Sequence, residues 1–420
     1  MSMLHGVQRQ LTRWYDWFQA LGDLRGDALL YTCSAVFAVG TWRVSTTLAE
    51  SRWGLLAAPG YVCAALVAVV ISRRVVSRPQ LLRAILTGVV IVLTLLMPLA
   101  VEAQLRHMHP TGNFAQPEVM VIERAGQLVD NGTTPYQSYW HDGTLVHRVP
   151  SIPAYESFFP YLPLMAVFGV PAAIGQHGTP LTDARVAMTI TTMLCLAGGL
   201  WLLRLPARRS LRLVQMMLAL PSGALFLATG GDDLPILGLM FLGVAFMVRR
   251  RHLSAACTIA VAAAMKFTVW PLALGALLVN RDASGRLKWG QTLFIIASVV
   301  VLTTGPVFAA GQNAFVANVV LFPAGLAHVA SPATSDFPGH LLSVLWPPLG
   351  RALQLAVVAS AVLFVRYIHR HWPLDAARML SLLAVASALI IGSATATRFG
   401  YVIYPINFWL WARTLRATSD

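Results

Sequence analysis

Residues 84 to 101, AILTGVVIVLTLLMPLAV, decide the fold class, because eighteen consecutive side chains carry no charge. At 1.5 Å per residue a helix of that length covers roughly 27 Å, close to the ~30 Å hydrocarbon layer of a bilayer. Similar runs recur along a chain that is 57% hydrophobic and 11% charged, a composition far from that of soluble domains. Spans are expected at 27–48, 53–72, 84–101, 183–203, 212–229, 233–248, 252–265, 267–280, 289–311, 350–367, 376–392 and 398–413. The chain therefore reads as an all-α polytopic membrane protein with about 12 transmembrane helices, forming a single domain over 27–413. Residues 1–26 alternate Arg with Trp, Tyr, Phe and Leu and lack a signal peptide's apolar core, so they read as a cytoplasmic interfacial segment. Residues 414–420 read as a cytoplasmic tail.

Charge sets the orientation. With the N-terminus inside, the cytoplasmic connections receive blocks such as Arg73-Arg74, Arg208-Arg209 and Arg249-Arg250-Arg251, and also Arg83 and Arg212. This follows the positive-inside rule. The net charge of +14 is scattered in these short blocks and forms no continuous basic face, so nucleic acid is not an expected partner. Cys33, Cys63, Cys195 and Cys257 fall in apolar segments without metal-ligand spacing and read as small core residues.

The acids go the other way. Glu102, Glu118, Glu123, Asp130, Asp142 and Glu156 are six of the seventeen carboxylates, all within the large extracytoplasmic loop expected over 102–182. In that loop PEVMVIERAGQLVDNGTTPY, residues 117–136, places Val119, Ile122, Gly126 and Val129 on one helical face. Pro117 suits the first helical position, and Gly132 followed by Pro135 supplies the stop. Glu118 then lies in the first turn, where the helix dipole favours an ionised carboxylate, and a carboxylate held at a membrane cavity is a candidate general base. The plainer reading is an acid stabilising its own helix. Glu123 and Asp130 read as solvated, and Glu102, ending a transmembrane helix at the interface, is the second candidate base. Residues 155–175, rich in proline and aromatic residues, read as a juxtamembrane or re-entrant helix.

Further polar residues face the same side. Lys266 sits at the outer tip of two short helices within 252–280, and Arg398 at the outer end of the last helix. Each is costly in a membrane unless paired or wetted, and each offers charge to a phosphate. Asp232 and Asp233 point in different directions on a helix and do not form a ready-made carboxylate pair; an N-cap with a first-turn acid is the plain reading, an acceptor contact the other. The turn displays too few oxygens for a divalent cation, so no metal is expected. The loop 322–343 reads as an ordered lid or a loose connector. His340 in it is a candidate phosphate contact.

The order of these motifs resembles the polytopic C-superfamily glycosyltransferases, most closely family 87, the polyprenyl-phosphate-mannose-dependent mannosyltransferases of actinobacteria. Glu118 to Tyr136 matches that family's acid, amphipathic helix and Gly-x-x-Pro-Tyr element, with Glu in place of the usual Asp. Phe158 to Leu164, FFPYLPL, stands where the family has Tyr-Pro-Pro-Leu. The Lys266 helix and the segment Arg398 to Pro405 resemble its later elements, and three spans precede the loop where the family has one. The resemblance implies transfer of a sugar, mannose in this family, from a polyprenyl phosphate to an extracytoplasmic glycolipid or polysaccharide, with inversion. Glu118 is the expected base; Arg398, Lys266 and His340 are expected at the donor phosphate. Glu102, Asp232, Asp233, Tyr136 and Tyr161 are candidates for an acceptor or secondary site. No glycine-rich nucleotide motif appears and no cofactor is expected. The alternative is a transporter or lipid flippase using the same polar cavity, although no internal repeat between the halves supports it.

Overall fold

The computed structural model describes residues 22–75, 77–109, 112–149, 152–174, 179–329, 332–371 and 374–416. Most of the interfacial segment expected over 1–26, and most of the 414–420 tail, lie outside them. The chain opens with α1 (Asp23–Val44), α2 (Leu48–Ser72) and α3 (Pro79–Met108). After α4 (Pro117–Asp130) and the hairpin β1 (Tyr139–His141) and β2 (Thr144–Val146), 3-10 turns at Ala154–Ser157 and Pro163–Gly169 lead to α5 (Ala184–Leu203). There follow α6 (Ala207–Thr229), α7 (Asp233–Val248), α8 (His252–Ala263), α9 (Trp270–Val279), α10 (Trp289–Ala310) and α11 (Gln312–Leu321). The chain closes with α12 (Pro338–Leu345), α13 (Pro347–His371), α14 (Ala376–Ser393) and α15 (Ile403–Arg416).

The fold is the all-α membrane architecture expected. Among the described residues, seven helices are long and apolar enough to cross a membrane: α2, α3, α5, α6, α10, the Pro347–Phe364 part of α13, and α14. Three more of the expected spans, α7, α8 and the Phe267–Val279 stretch that contains α9, are shorter apolar helices. The remaining two are helices of a different kind. Asp27 and Arg43 bracket the apolar part of α1, and α15 has only 14 residues. Residues 155–175 form no long helix. Pro160, Pro163 and Pro171 break them into extended chain, 3-10 turns and one α turn, as missing amide protons dictate.

The chain packs as two compact units. The first holds residues 1–116 and 206–231. Small residues set its close packing: a side chain on Gly54 of α2 would meet the carbonyl of Ala38 at 2.4 Å, the small-residue contact typical of membrane helices. Pro98 cannot donate to Thr94, and a π turn at Val92–Leu96 absorbs the irregularity. The freed Thr94 carbonyl accepts instead from the Trp53 indole at 2.8 Å. A second π turn, Gln215–Ala219, precedes Pro221, and the Ala219 carbonyl accepts from Tyr61 at 2.7 Å.

Two expectations about charge change in this unit. Arg83 and Arg212 do not occupy loops. Arg83 is fully buried and donates to Asp27 at 2.6 and 3.1 Å, and Arg212 and Gln215 donate to the same carboxylate. A buried arginine demands such a partner, and Asp27, the first residue of the expected span 27–48, supplies it. Glu102 does not end its helix at an interface: α3 continues to Met108, and Glu102 is fully buried beside Arg52 at 3.6 Å.

The second unit holds residues 117–205 and 232–420. Its centre is α7, buried along most of its length and packed by Gly238 on α5 and by Gly243 on Ile259 of α8. Helix α4 lies against the 163–174 segment through a glycine pair: a side chain on Gly126 would meet the Gly169 carbonyl carbon at 2.2 Å. Val119 and Ile122 share that buried face, whereas Val129, expected with them, is exposed past the contact. Glu123 is not solvated. It is buried and accepts from the Ala184 amide at 3.0 Å, tying α4 to the start of α5.

Candidate active site

Glu118 occupies the first turn of α4, after Pro117, as its sequence context requires. The structure brings it to Arg398, 280 residues away, and the two form an ion pair through Glu118 Oε1. Glu118 Oε2 is buried and takes no hydrogen bond among the described residues. Arg398 is not on a helix but just ahead of one, in extended conformation before the 3-10 turn Phe399–Val402. A short bridge holds it there. Thr397 donates to the Ala333 carbonyl at 3.0 Å, Ser335 donates to that of Thr397 at 3.0 Å, and the Phe399 amide donates to Ser335 Oγ at 3.0 Å. This part of the 322–343 loop is thus tied to the arginine segment.

Lys266 sits at the break between α8 and α9, as its position at a helix tip implied. Carbonyls freed at the end of α8 are taken by the neighbouring 160–164 segment: Leu162 donates to Met265 at 3.0 Å and Leu164 to Ala264 at 3.3 Å. That pairing lays the Tyr161 ring 5.4 Å from the Lys266 ammonium, with Tyr401 at 5.9 Å on the other ring contact. Lys266 is 8% exposed and donates to Asp232 at 2.9 Å and also to Asp233. Tyr404 in turn donates to Asp233 at 2.6 Å, and Thr268 lies 2.8 Å from the Tyr404 hydroxyl.

The aspartates correct the sequence reading. Asp232 does stand at the N-cap of α7, but its side chain makes no capping bond. Both carboxylates turn to one ammonium, because a buried lysine left unpaired costs more than an uncapped helix end. They act as a pair after all. The charge of Glu118 is felt at both Tyr161 and Asp232, so the two ion clusters share one field. Three carboxylates face two cations, and the cluster carries a net charge of −1 with all groups ionised.

The other expected site residues have partners of their own. Tyr136 is buried among Phe159 and Phe315, and its hydroxyl donates to the Tyr161 carbonyl at 2.7 Å, a framework role. His340 Nδ1 lies 2.8 Å from the Thr395 carbonyl, which requires the proton on Nδ1. Glu102 belongs to the first unit with Arg52.

Sequence reasoning missed three features. The hairpin had a signal in Asp142-Gly143, whose positive φ values of 46° and 77° form the two-residue turn. Arg124 and Glu156 had none: Arg124 donates to the Glu156 carbonyl at 2.7 Å, and nothing local announces the contact. Burial pushes the Glu156 carboxyl above its ordinary range, with Tyr155 and Arg124 opposing and Glu118 adding to the rise.

No curated protein matches the chain. Among solved structures it is similar to ArnT from Cupriavidus metallidurans in the apo state, with a TM-score of 0.41 and 17% identity, over 71% of this chain and 55% of that one. It thus spans little more than half the length of that protein. The model of glycosyltransferase family 87 matches residues 159–393, a stretch that includes Tyr161, Asp232, Asp233, Lys266 and His340 and stops short of Arg398. Covering more than half of the 420 residues, the match shows that this chain belongs to glycosyltransferase family 87.

Proposed function

We propose that the chain is a multi-pass inverting glycosyltransferase that moves a sugar, mannose by the family resemblance, from a polyprenyl phosphate to a glycolipid or polysaccharide on the extracytoplasmic face. The observation that carries this reading is the Glu118–Arg398 pair with its second carboxylate oxygen buried and without a partner. When the donor phosphate draws the Arg398 fork onto itself, the Glu118 carboxylate is released to face the acceptor hydroxyl as the sugar arrives. The acceptor hydroxyl then gives its proton to Glu118 as its oxygen attacks the anomeric carbon, and the C–O bond to phosphate breaks with the electron pair leaving on that oxygen. Attack opposite the leaving group turns a β-linked donor into an α-linked product.

The departing phosphate monoester carries more negative charge than the diester, so Arg398 holds it more tightly as the bond breaks, the differential binding that lowers a barrier. Lys266 is compensated twice over by Asp232 and Asp233. Its part in this reading is to fix those carboxylates and hold positive potential behind Tyr161, with the phosphate contact falling to Arg398. The apolar helices hold the prenyl chain among membrane lipids.

Purified protein incubated with radiolabelled polyprenyl-phosphate mannose and a lipid extract tests the reading. A labelled glycolipid or glycan supports it. Movement of donor across a vesicle without product would overturn it in favour of a flippase.

A further inference from the structure

Buried tyrosine hydroxyls in this protein have partners, except at one place. Tyr31 meets Thr87 and Gln215, Tyr61 donates to the Ala219 carbonyl, Tyr136 to that of Tyr161, and Tyr404 to Asp233. Such pairing is the rule for a buried phenol, because a bond left unmade there costs desolvation without return. Tyr161 is also buried, 6% exposed, yet its hydroxyl makes no hydrogen bond among the described residues. The hydroxyl of half-buried Tyr401 makes none either. Both rings lie against Lys266, at 5.4 and 5.9 Å from its ammonium.

The backbone ties these two phenols to the candidate site. Arg398 stands at the start of the 3-10 turn Phe399–Val402, and the Tyr401 amide donates to the Arg398 carbonyl at 3.0 Å. Three residues complete one turn of such a helix, so side chains three apart leave it on the same side. Arg398 and Tyr401 are so related. Tyr161 arrives from a different element, held where Leu162 and Leu164 pair with the end of α8. The charge of Arg398 reaches both phenols, and the phenols act on one another. The Arg398 side chain is 36% exposed, so this neighbourhood is open to a ligand at its arginine.

The bonding capacity left over selects the ligand. Lys266 is committed to Asp232 and Asp233, which leaves one guanidinium and two neutral O–H groups as donors. A carboxylate ligand would be filled by the guanidinium fork alone. A phosphate monoester offers three strong acceptor oxygens, more than one fork can satisfy, and two hydroxyls supply the remainder. They also add bonds without adding charge to a cluster already balanced between carboxylates and cations.

We propose that Tyr401 and Tyr161 are phosphate-binding residues, their hydroxyls donating to terminal oxygens of a prenyl phosphate that Arg398 holds by its fork. The assignment rests on the glycosyl-transfer reading above for the source of that phosphate. In that reading the monoester gathers negative charge as the sugar leaves it, so both hydroxyls hold the departing group more strongly than the donor.

The test separates binding from turnover. Full-length protein in lipid nanodiscs is titrated with farnesyl phosphate, protein-free nanodiscs serving as the blank, and phosphorus NMR follows the bound phosphate. Tyr401→Phe and Tyr161→Phe keep each ring beside Lys266 and lose only the hydroxyl. Wild type is expected to bind, and each variant to bind about tenfold more weakly. Without ligand, the melting midpoint of Tyr401→Phe should match wild type, because that hydroxyl has no partner to lose, while Tyr404→Phe should melt lower. No binding by wild type, undiminished binding by either variant, or a lowered midpoint for Tyr401→Phe overturns the assignment. In the transfer assay, kcat should fall about tenfold in Tyr401→Phe with the acceptor KM unchanged. Wild-type kcat in that variant overturns the assignment and leaves the transferase reading standing. Phosphate binding that needs both hydroxyls, in a protein that transfers no sugar, overturns the transferase reading and leaves the phosphate site.

Discussion

The two units each bury a cluster of charges, and the clusters are built on opposite plans. In the first, Asp27 accepts from Arg83, Arg212 and Gln215; Gln215 also donates to Tyr31 at 3.1 Å, and Tyr31 lies 3.2 Å from Thr87. Helices α1, α3 and α6 converge on one saturated carboxylate. In the second, Glu118 has one oxygen on Arg398 and one without a hydrogen bond among the described residues, and carboxylates outnumber cations. A saturated network has nothing left to offer a ligand and acts as a clamp. An undersatisfied one keeps bonding capacity and free energy in hand, which is what a reacting site needs.

The sharpest way to break this contrast is Glu118→Gln. Transfer should fall by about 10³-fold, ~4 kcal/mol in the barrier, while donor binding and thermal stability stay near wild type; single-turnover rates and a melting curve decide it. Asp27→Asn should do the reverse. It takes one carboxylate from the fully buried Arg83, which keeps Asp23 at 3.1 Å, and from the half-buried Arg212, at a cost of about 3 kcal/mol, seen as a lower unfolding midpoint, while the folded fraction keeps its specific activity within about twofold. Loss of turnover in the folded Asp27→Asn protein would erase the distinction. Arg398→Lys sharpens it further: the charge stays but the planar fork goes, and kcat should drop about tenfold with a smaller change in donor KM.

The smallest effect concerns pH. Asp282, in the turn that follows α9, is held below the usual carboxylate range by the Ser284 hydroxyl first, and then by Lys288 and the Arg286 amide. A carboxyl with a depressed folded-state pKa stabilises above its unfolded value of 3.8 and loses that contribution as pH falls through the folded value. Stability should therefore decline below about pH 4, and Asp282→Asn should flatten that acid limb in melting curves recorded across pH. The active-site contrast should be untouched by it.

Much of the second unit was legible in local pattern. Pro117, the apolar spacing and Gly132 fixed α4 from Pro117 to Asp130, and the lysine at the centre of 252–280 marked the helix break that the structure has at 264–266. Both signals are local, depending on backbone freedom and helix periodicity. What was illegible is every partnership across the chain: Asp232 and Asp233 turning to Lys266 instead of capping α7, Arg83 finding Asp27, Glu123 reaching Ala184. These are decided by burial, where an unpaired charge is prohibitively costly, and burial is not written in any window of the sequence. Arg83 and Arg212, read from the sequence as loop charges, meet Asp27 inside the unit instead.

The glycine pair at Gly126 and Gly169 has one last consequence. With main chain touching main chain at that crossing, no rotamer change takes up slack, so the height of α4 above the 163–174 segment is a fixed length. A methyl group at 126 would act as a shim, lifting the whole rod and swinging its leading carboxylate by about an ångström away from the guanidinium it faces, a misplacement able to slow chemistry by about 10²-fold.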